Sequence, residues 1–153
     1  MKRLRLITVK QIMSWRPCPP WTEERVRDVF AGRRSLTPLE VCGLKDVPAN
    51  DRLRVILREE VIPARELRLI ACWCATRVLR AERVAGREPD ERSWAAVAVS
   101  RRYADGLATA EELAAARDAA WAAYYITAAV AYYIKNKHIL THVRRALRRL
   151  EAS

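Results

Sequence analysis

Residues 101–133 read RRYADGLATAEELAAARDAAWAAYYITAAVAYY, and this stretch decides the fold class. Asp105-Gly106 predicts the end of one helix, because glycine adopts the left-handed conformation that closes a helix at little steric cost. Thr109 and Glu112 have the spacing of a capping box, in which each side chain satisfies a free amide at the start of the next helix. The alanines and aromatic residues that follow are typical of a helix in close contact with its neighbours. The stretch therefore predicts two helices joined by a tight turn.

The same signals recur along the whole chain. Thr8, Thr22 and Thr37-Pro38 each predict a helix start, and Pro17-Cys18-Pro19-Pro20 predicts a rigid connector. Longer helices are predicted over 63–84, 90–104, 110–134 and 138–150. No segment shows sustained alternation of apolar and polar residues. We therefore predict an all-α fold, a compact bundle in which short N-terminal helices pack with three or four longer C-terminal helices.

The length of the chain, 153 residues, is most simply that of one domain. We predict a single helical domain over 1–153, with a leading region of short helices at 1–60 and a longer-helix region at 61–153. The longest apolar stretch, 119–134, is too short and too weakly apolar to span a bilayer. The first residues lack the apolar run and cleavage site of a secretory signal, so we expect a cytoplasmic protein.

The net charge of +11 is the clearest indication of what the chain binds. Residues 1–60 and 135–153 each carry a net charge of +5, whereas residues 101–134 carry −1. The positive charge is therefore placed at the two ends of the sequence. This distribution favours an anionic partner.

The terminal helix holds the densest group of cationic residues, with hardly any acids among them. The candidate residues for contact with an anionic partner are Arg144, Arg145, Arg148, Arg149, Lys135 and Lys137. Like charges three and four residues apart on a helix repel each other mildly, which favours a partner that neutralises them. Nucleic acid or an acidic protein would serve, and a solvated face in a basic protein would have the same pattern.

A group of aromatic residues follows the alanine-rich stretch and has two interpretations. Its members are Trp121, Tyr124, Tyr125, Tyr132 and Tyr133. They can pack against neighbouring helices, since alanines allow close approach. Alternatively, part of the group is exposed and binds a partner, because tryptophan and tyrosine are favoured at such surfaces.

Residues that could carry catalysis are few. His138 and His142 are four apart on a helix, as zinc ligands often are, but no glutamate accompanies them. The cysteines at 18, 42, 72 and 74 are expected to be small buried apolar residues. No glycine-rich phosphate loop is present. The sequence predicts no enzyme activity, no catalytic residue, no cofactor and no metal site.

Three segments carry a resemblance to a known group of proteins. They are ELRLIACWCATRVL at 66–79, PDERS at 89–93 and AVSRRYADGLATAEELAAARDAAWAA at 98–123. These segments resemble uncharacterised bacterial and phage-encoded helical proteins similar to immunity proteins of the Imm-5-like type. The leading ITVKQIMSWRPC, LTPLEV and DRLRVILREEVIPARELRL are similar to a region attached to some members, so the resemblance covers about residues 7–130. It implies an all-helical fold and neutralisation of a toxin by binding, and it implies no catalytic residues.

Two functional hypotheses follow. The first is a small basic interaction protein, phage- or defence-associated, that acts by stoichiometric binding to a protein partner. An immunity protein that masks a nuclease would be acidic, because it imitates nucleic acid, and the charge of +11 argues against that version. The alternative is a regulator that binds nucleic acid or a nucleoprotein through the basic terminal helix.

Overall fold

The computed structural model describes residues 4–119 and 136–152. Within these ranges the regular structure is helical and no strand is present, which confirms the all-α prediction. The helices are α1 (Val9–Ser14), α2 (Glu23–Phe30), α3 (Pro38–Gly43), α4 (Ala49–Ile56), α5 (Ala64–Val84), α6 (Glu91–Ala104), α7 (residues 110–119) and α8 (Asn136–Ala152). None of the helices in the described residues combines the length and the apolar character that a membrane span needs.

The helix starts form as the sequence predicts. The amide of Thr109 donates to Glu112 Oε2 at 2.7 Å, and the amide of Glu112 donates to Thr109 Oγ1 at 3.1 Å. The same reciprocal capping begins α3 at Thr37, while Thr22 caps α2 through its side chain alone. These contacts involve residues three apart, so the local sequence is sufficient to specify them.

The end of α2 differs from the prediction. Because glycine adopts the left-handed conformation easily, the sequence predicts that Gly32 ends this helix, but Ala31 occupies the left-handed cap position, with φ of 48°. Gly32 follows with φ of 77°, so two successive residues are left-handed. At the end of α6 the prediction is confirmed, since Gly106 has φ of 73°.

The chain divides into two compact units that interleave in sequence. Unit 1 consists of Met1–Pro63 together with Leu140–Ser153, and unit 2 consists of Ala64–Ile139. The change at Pro63 lies close to the predicted change of region at residue 60. The last helix was assigned to the longer-helix region, but from Leu140 onward it belongs to unit 1.

The core of unit 1 joins both ends of the chain. Ile7 and Leu36 form an isolated antiparallel backbone pair, with two N–H···O bonds of 2.8 Å, and both side chains are fully buried. From α8, Val143 and Leu147 are also fully buried. The spacing of the apolar residues on α8 predicts a buried stripe made of Ile139, Leu140, Val143, Leu147 and Leu150, and the burial of Leu140, Val143 and Leu147 confirms its central part.

Unit 2 contains α5 packed against α6. The three- and four-residue spacing of apolar residues on α5 predicts a buried stripe made of Leu67, Ile70, Ala71, Cys74, Val78 and Leu79. Ala71, however, is exposed, and Cys72 is buried instead. Adjacent residues on a helix point about 100° apart, and the Cys72 thiol faces α6, 3.8 Å from the carbonyl oxygen of Val97. On α6, Trp94 and Val97 are half-buried.

The cysteines are only in part the buried residues that we expected. All four are free thiols; Cys42 and Cys72 are buried and Cys74 is half-buried. Cys18 is exposed, because the connector that contains it lies at the surface.

Candidate functional site

Unit 1 holds most of the positive charge of the protein. By sequence its residues include 17 basic and 9 acidic side chains, a net charge of +8 out of +11. The basic residues of 1–63 and of 140–153, which are far apart along the chain, therefore belong to one compact unit. This arrangement makes unit 1 the candidate surface for an anionic partner.

Arg144 has an intramolecular role within this unit. Its Nη2 donates to the carbonyl oxygen of Cys42 at 2.7 Å, and Arg52 Nη1 donates to the same oxygen, also at 2.7 Å. This carbonyl lies in the last turn of α3, where helix carbonyls lack intrahelical partners. Burial raises the pKa of the Cys42 thiol, and the charge of Arg144 offsets part of that effect. Arg144 is half-buried and hydrogen-bonded, whereas Arg145, Arg148 and Arg149 are exposed.

The remaining arginines of the terminal helix face solvent. Arg145, Arg148 and Arg149 are exposed, and no carboxylate within the described residues forms an ion pair with them. Residues three and four apart lie on one side of a helix. We call Arg145, Arg148 and Arg149 the α8 arginine row. Lys135 and the side chain of Lys137 lie outside the described residues.

The aromatic candidates also lie outside the described residues. They are Trp121, Tyr124, Tyr125, Tyr132 and Tyr133. Both interpretations of that group therefore stay predictions.

The two histidines of α8 differ in their surroundings. His138 is exposed, whereas His142 is half-buried. Burial lowers the pKa of His142, and the positive charges of Arg149 and Arg145 lower it further. Burial is therefore the main cause of the lowered pKa of His142, and the charges of the α8 arginines add to it.

Ion pairs are distributed unequally between the two units. In the described part of unit 2, five arginines are paired with carboxylates, namely Arg65, Arg83, Arg87, Arg92 and Arg102. In the described part of unit 1, only Arg27 and Arg33 are so paired. The excess positive charge of unit 1 therefore lacks internal neutralisation by acids.

Several arginines stack on aromatic rings, which the sequence analysis did not anticipate. The Arg58 guanidinium lies 4.3 Å from the ring centroid of Trp15, and that of Arg25 lies 4.7 Å from Trp21. The four-residue spacing of Trp21 and Arg25 was a readable signal, since it recurs in the stacked pair Trp73 and Arg77. The pairing of Trp15 with Arg58 depends on the fold.

A cleft of about 870 Å³ lies in unit 1, and Trp15, Trp21 and the proline connector between them form part of its wall. We call this space the Trp cleft. In sequence, residues 17–20 indicate a rigid connector and give no sign of a cleft. The cleft was missed because its other walls come from α2, α3 and α4.

Comparisons with known proteins identify no similar protein. No protein-family model matches the chain, and no curated protein or solved structure matches it either.

Proposed function

We propose that the protein acts by stoichiometric binding to an acidic protein partner, which it contacts through the α8 arginine row of unit 1. The observation that carries this proposal is the unequal distribution of ion pairs. Unit 1 has a net charge of +8, and its exposed terminal arginines have no carboxylate partner in the described residues. An acidic protein surface would neutralise that charge and would be steered toward it over long range.

Unit 1 also carries residue types that are common at protein interfaces. Tryptophan and arginine are the residues that most often carry binding energy at protein interfaces, and unit 1 presents them as the stacked pairs of Trp15 with Arg58 and Trp21 with Arg25. The resemblance to Imm-5-like immunity proteins supports a phage- or defence-associated role for this binding.

The test uses two variants of equal charge. The first is Arg145→Gln/Arg148→Gln/Arg149→Gln, which removes the α8 arginine row. The second is Arg80→Gln/Arg101→Gln/Arg117→Gln, which removes three exposed arginines of unit 2 that have no ion pair in the described residues. Both have a net charge of +8 by sequence, so a difference between them reports on position and not on total charge.

Each form is used as bait in cells of the native host, and the recovered proteins are quantified against the bait. The wild type and the unit 2 variant should retain one protein at near-equal amounts, and the α8 variant should retain about tenfold less, since each lost charge pair contributes up to about 1 kcal/mol. Equal recovery by both variants would contradict the proposal. Recovery of no stoichiometric protein by the wild type would contradict it as well.

Nucleic acid is the second candidate partner, and the exposure of the α8 arginine row favours it. Three arginines that contact three phosphates give a slope of log affinity against log salt of about −2.7 for a duplex and about −2 for a single strand. A duplex or single strand that binds with this slope, and with a slope near zero in the α8 variant, would establish nucleic acid as the partner. The engagement of Arg144 with Cys42 leaves three exposed arginines on α8 for either kind of anionic partner.

A further inference from the structure

The Trp cleft is surrounded by several elements of unit 1. Its lining residues come from α1, the proline connector, α2, α3, α4 and the bridge residue Leu36. A volume of about 870 Å³ is within the range of small-molecule sites, roughly 300–1,000 Å³. Walls on several sides suit a compact ligand better than a long helical segment, which needs an open groove.

The interior of the cleft is apolar. Val26, Phe30, Leu36, Val41 and Val47 line it and are buried. Val29, Val55 and Leu57 line it as well and are half-buried. Such a lining binds an apolar body by removing that body from water.

Two tryptophans line the Trp cleft. Trp15 and Trp21 are half-buried, and each has a guanidinium stacked on its ring. The indole Nε1 of Trp21 donates to Asp51 Oδ2 at 3.1 Å, which holds that ring in place. The rings therefore offer pre-organised aromatic surface to a ligand.

The charged groups of the cleft are almost all cationic. Among the residues that the structure describes, four arginines line it, namely Arg16, Arg52, Arg54 and Arg58, and Asp51 is the sole carboxylate, which already accepts the bond from Trp21. Arg54 and Arg16 are exposed, and Arg54 Nη1 lies 3.8 Å from the Cys18 sulfur. The Nε atom of Arg52 is buried without a hydrogen-bond partner. An apolar space with cations at its edge is complementary to an anion that has an apolar body.

We propose that the Trp cleft binds a small organic anion, a carboxylate or sulfonate with an aromatic or aliphatic body, independently of the protein partner of the α8 arginine row. The apolar body occupies the space beside Val29 and Val55. The anionic group lies at the edge, where the guanidinium groups of Arg16 and Arg54 donate to it.

Two related dyes serve as probes in the test. Anilinonaphthalene sulfonate has an apolar aromatic body and a sulfonate, and N-phenylnaphthylamine has the same body without the charge. Both fluoresce in an apolar site, so each can be titrated directly against the full chain. We expect the sulfonate to bind one per chain, about tenfold or more tightly than the neutral dye, because charge-assisted hydrogen bonds contribute that difference.

Paired variants separate local charge from overall charge. Arg16→Gln/Arg54→Gln should bind both dyes equally, with the affinity of the neutral dye unchanged. Arg5→Gln/Arg34→Gln removes two exposed arginines that do not line the cleft, and it should keep the preference for the sulfonate. Val29→Trp, which fills the space, should weaken both dyes while circular dichroism confirms that the helices remain.

Cys18 gives a second readout, because it lines the cleft and is exposed. Bound sulfonate dye should slow the reaction of the Cys18 thiol with Ellman's reagent. The variant Cys18→Ser shows how much of the total thiol reaction comes from Cys18. Equal affinity for both dyes in the wild type, or loss of the preference in Arg5→Gln/Arg34→Gln, would overturn the proposal. Protection of Cys18 by a peptide of alternating glutamate and leucine, with neither dye bound, would also overturn it and would assign the cleft to a protein segment.

Discussion

The side chain of Arg144 donates a hydrogen bond of 2.7 Å to the carbonyl oxygen of Cys42, a residue 102 positions earlier in the chain. Both residues belong to unit 1. The bond ties the terminal helix to the end of α3, and Arg52 meets the same carbonyl oxygen from α4. The sequence thus predicts Arg144 as part of a cationic surface, but in the fold its side chain links α8 to α3.

Arg144→Gln should destabilise the protein by about 1–2 kcal/mol, because it removes a charge-assisted hydrogen bond from a half-buried carbonyl. Urea denaturation followed by far-UV circular dichroism measures the change. Arg148→Gln is the matched control, since Arg148 lies one turn further along α8 and is exposed. Its effect should stay within about 0.5 kcal/mol. Equal stability of Arg144→Gln and the wild type would show that the Arg144–Cys42 contact does not contribute to folding.

Leu147→Ala should cost about 2–5 kcal/mol, because the side chain of Leu147 is fully buried in the core of unit 1 and its loss leaves a cavity. The same substitution at Leu107, which is 69% exposed, should change the free energy of unfolding by less than about 0.5 kcal/mol. Both values come from denaturant titrations under the same conditions. A small effect at Leu147 would be incompatible with α8 as part of the core.

The pH dependence of stability should include a contribution from His142. Its pKa in the folded state is lowered from 6.5, first by burial and then by Arg149 and Arg145. At pH values between the folded pKa and 6.5 the unfolded chain binds more protons, so the free energy of unfolding falls as the pH decreases through this window. Below the folded pKa the contribution is constant.

Thermal unfolding in steps from about pH 7.5 to pH 5 measures this slope, above the range in which carboxylates titrate. His142→Gln should flatten the slope. His138→Gln, which changes an exposed histidine of the same helix, should preserve it. A wild-type melting temperature that does not change over this range would contradict the assignment.

Ala31→Gly should stabilise the protein by roughly 1 kcal/mol. Ala31 has φ of 48°, a left-handed conformation that costs an alanine about 1–2 kcal/mol and a glycine little. Part of the gain is offset, because glycine has more freedom in the unfolded chain. The control is Ala75→Gly within α5, which should lower the melting temperature. A lower melting temperature for Ala31→Gly would mean that the cap is not left-handed in solution.

Features that depend on neighbours in the sequence were predictable. A threonine followed three residues later by glutamate can form a capping box from local contacts alone, and both Thr37 and Thr109 do so. The predicted end of α2 was wrong by one residue. Glycine is favoured at a left-handed cap, which pointed to Gly32, but the cap position is Ala31. The prediction for Cys18 failed because residue type reports average burial and does not locate a connector at the surface.

The sequence alone determined the helical class, most helix starts, the apolar stripe of α8 and the total charge, since each depends on composition or on contacts within one turn. Only the tertiary structure decided that residues 1–63 and 140–153 form one unit, that Arg144 donates a hydrogen bond to the Cys42 carbonyl, and that Trp15 and Arg58 meet beside a cleft. Those relationships join residues far apart in the chain, and their positions depend on how buried apolar faces pack. The physical reason is that periodicity specifies which side of a helix is buried but does not specify which helix covers it.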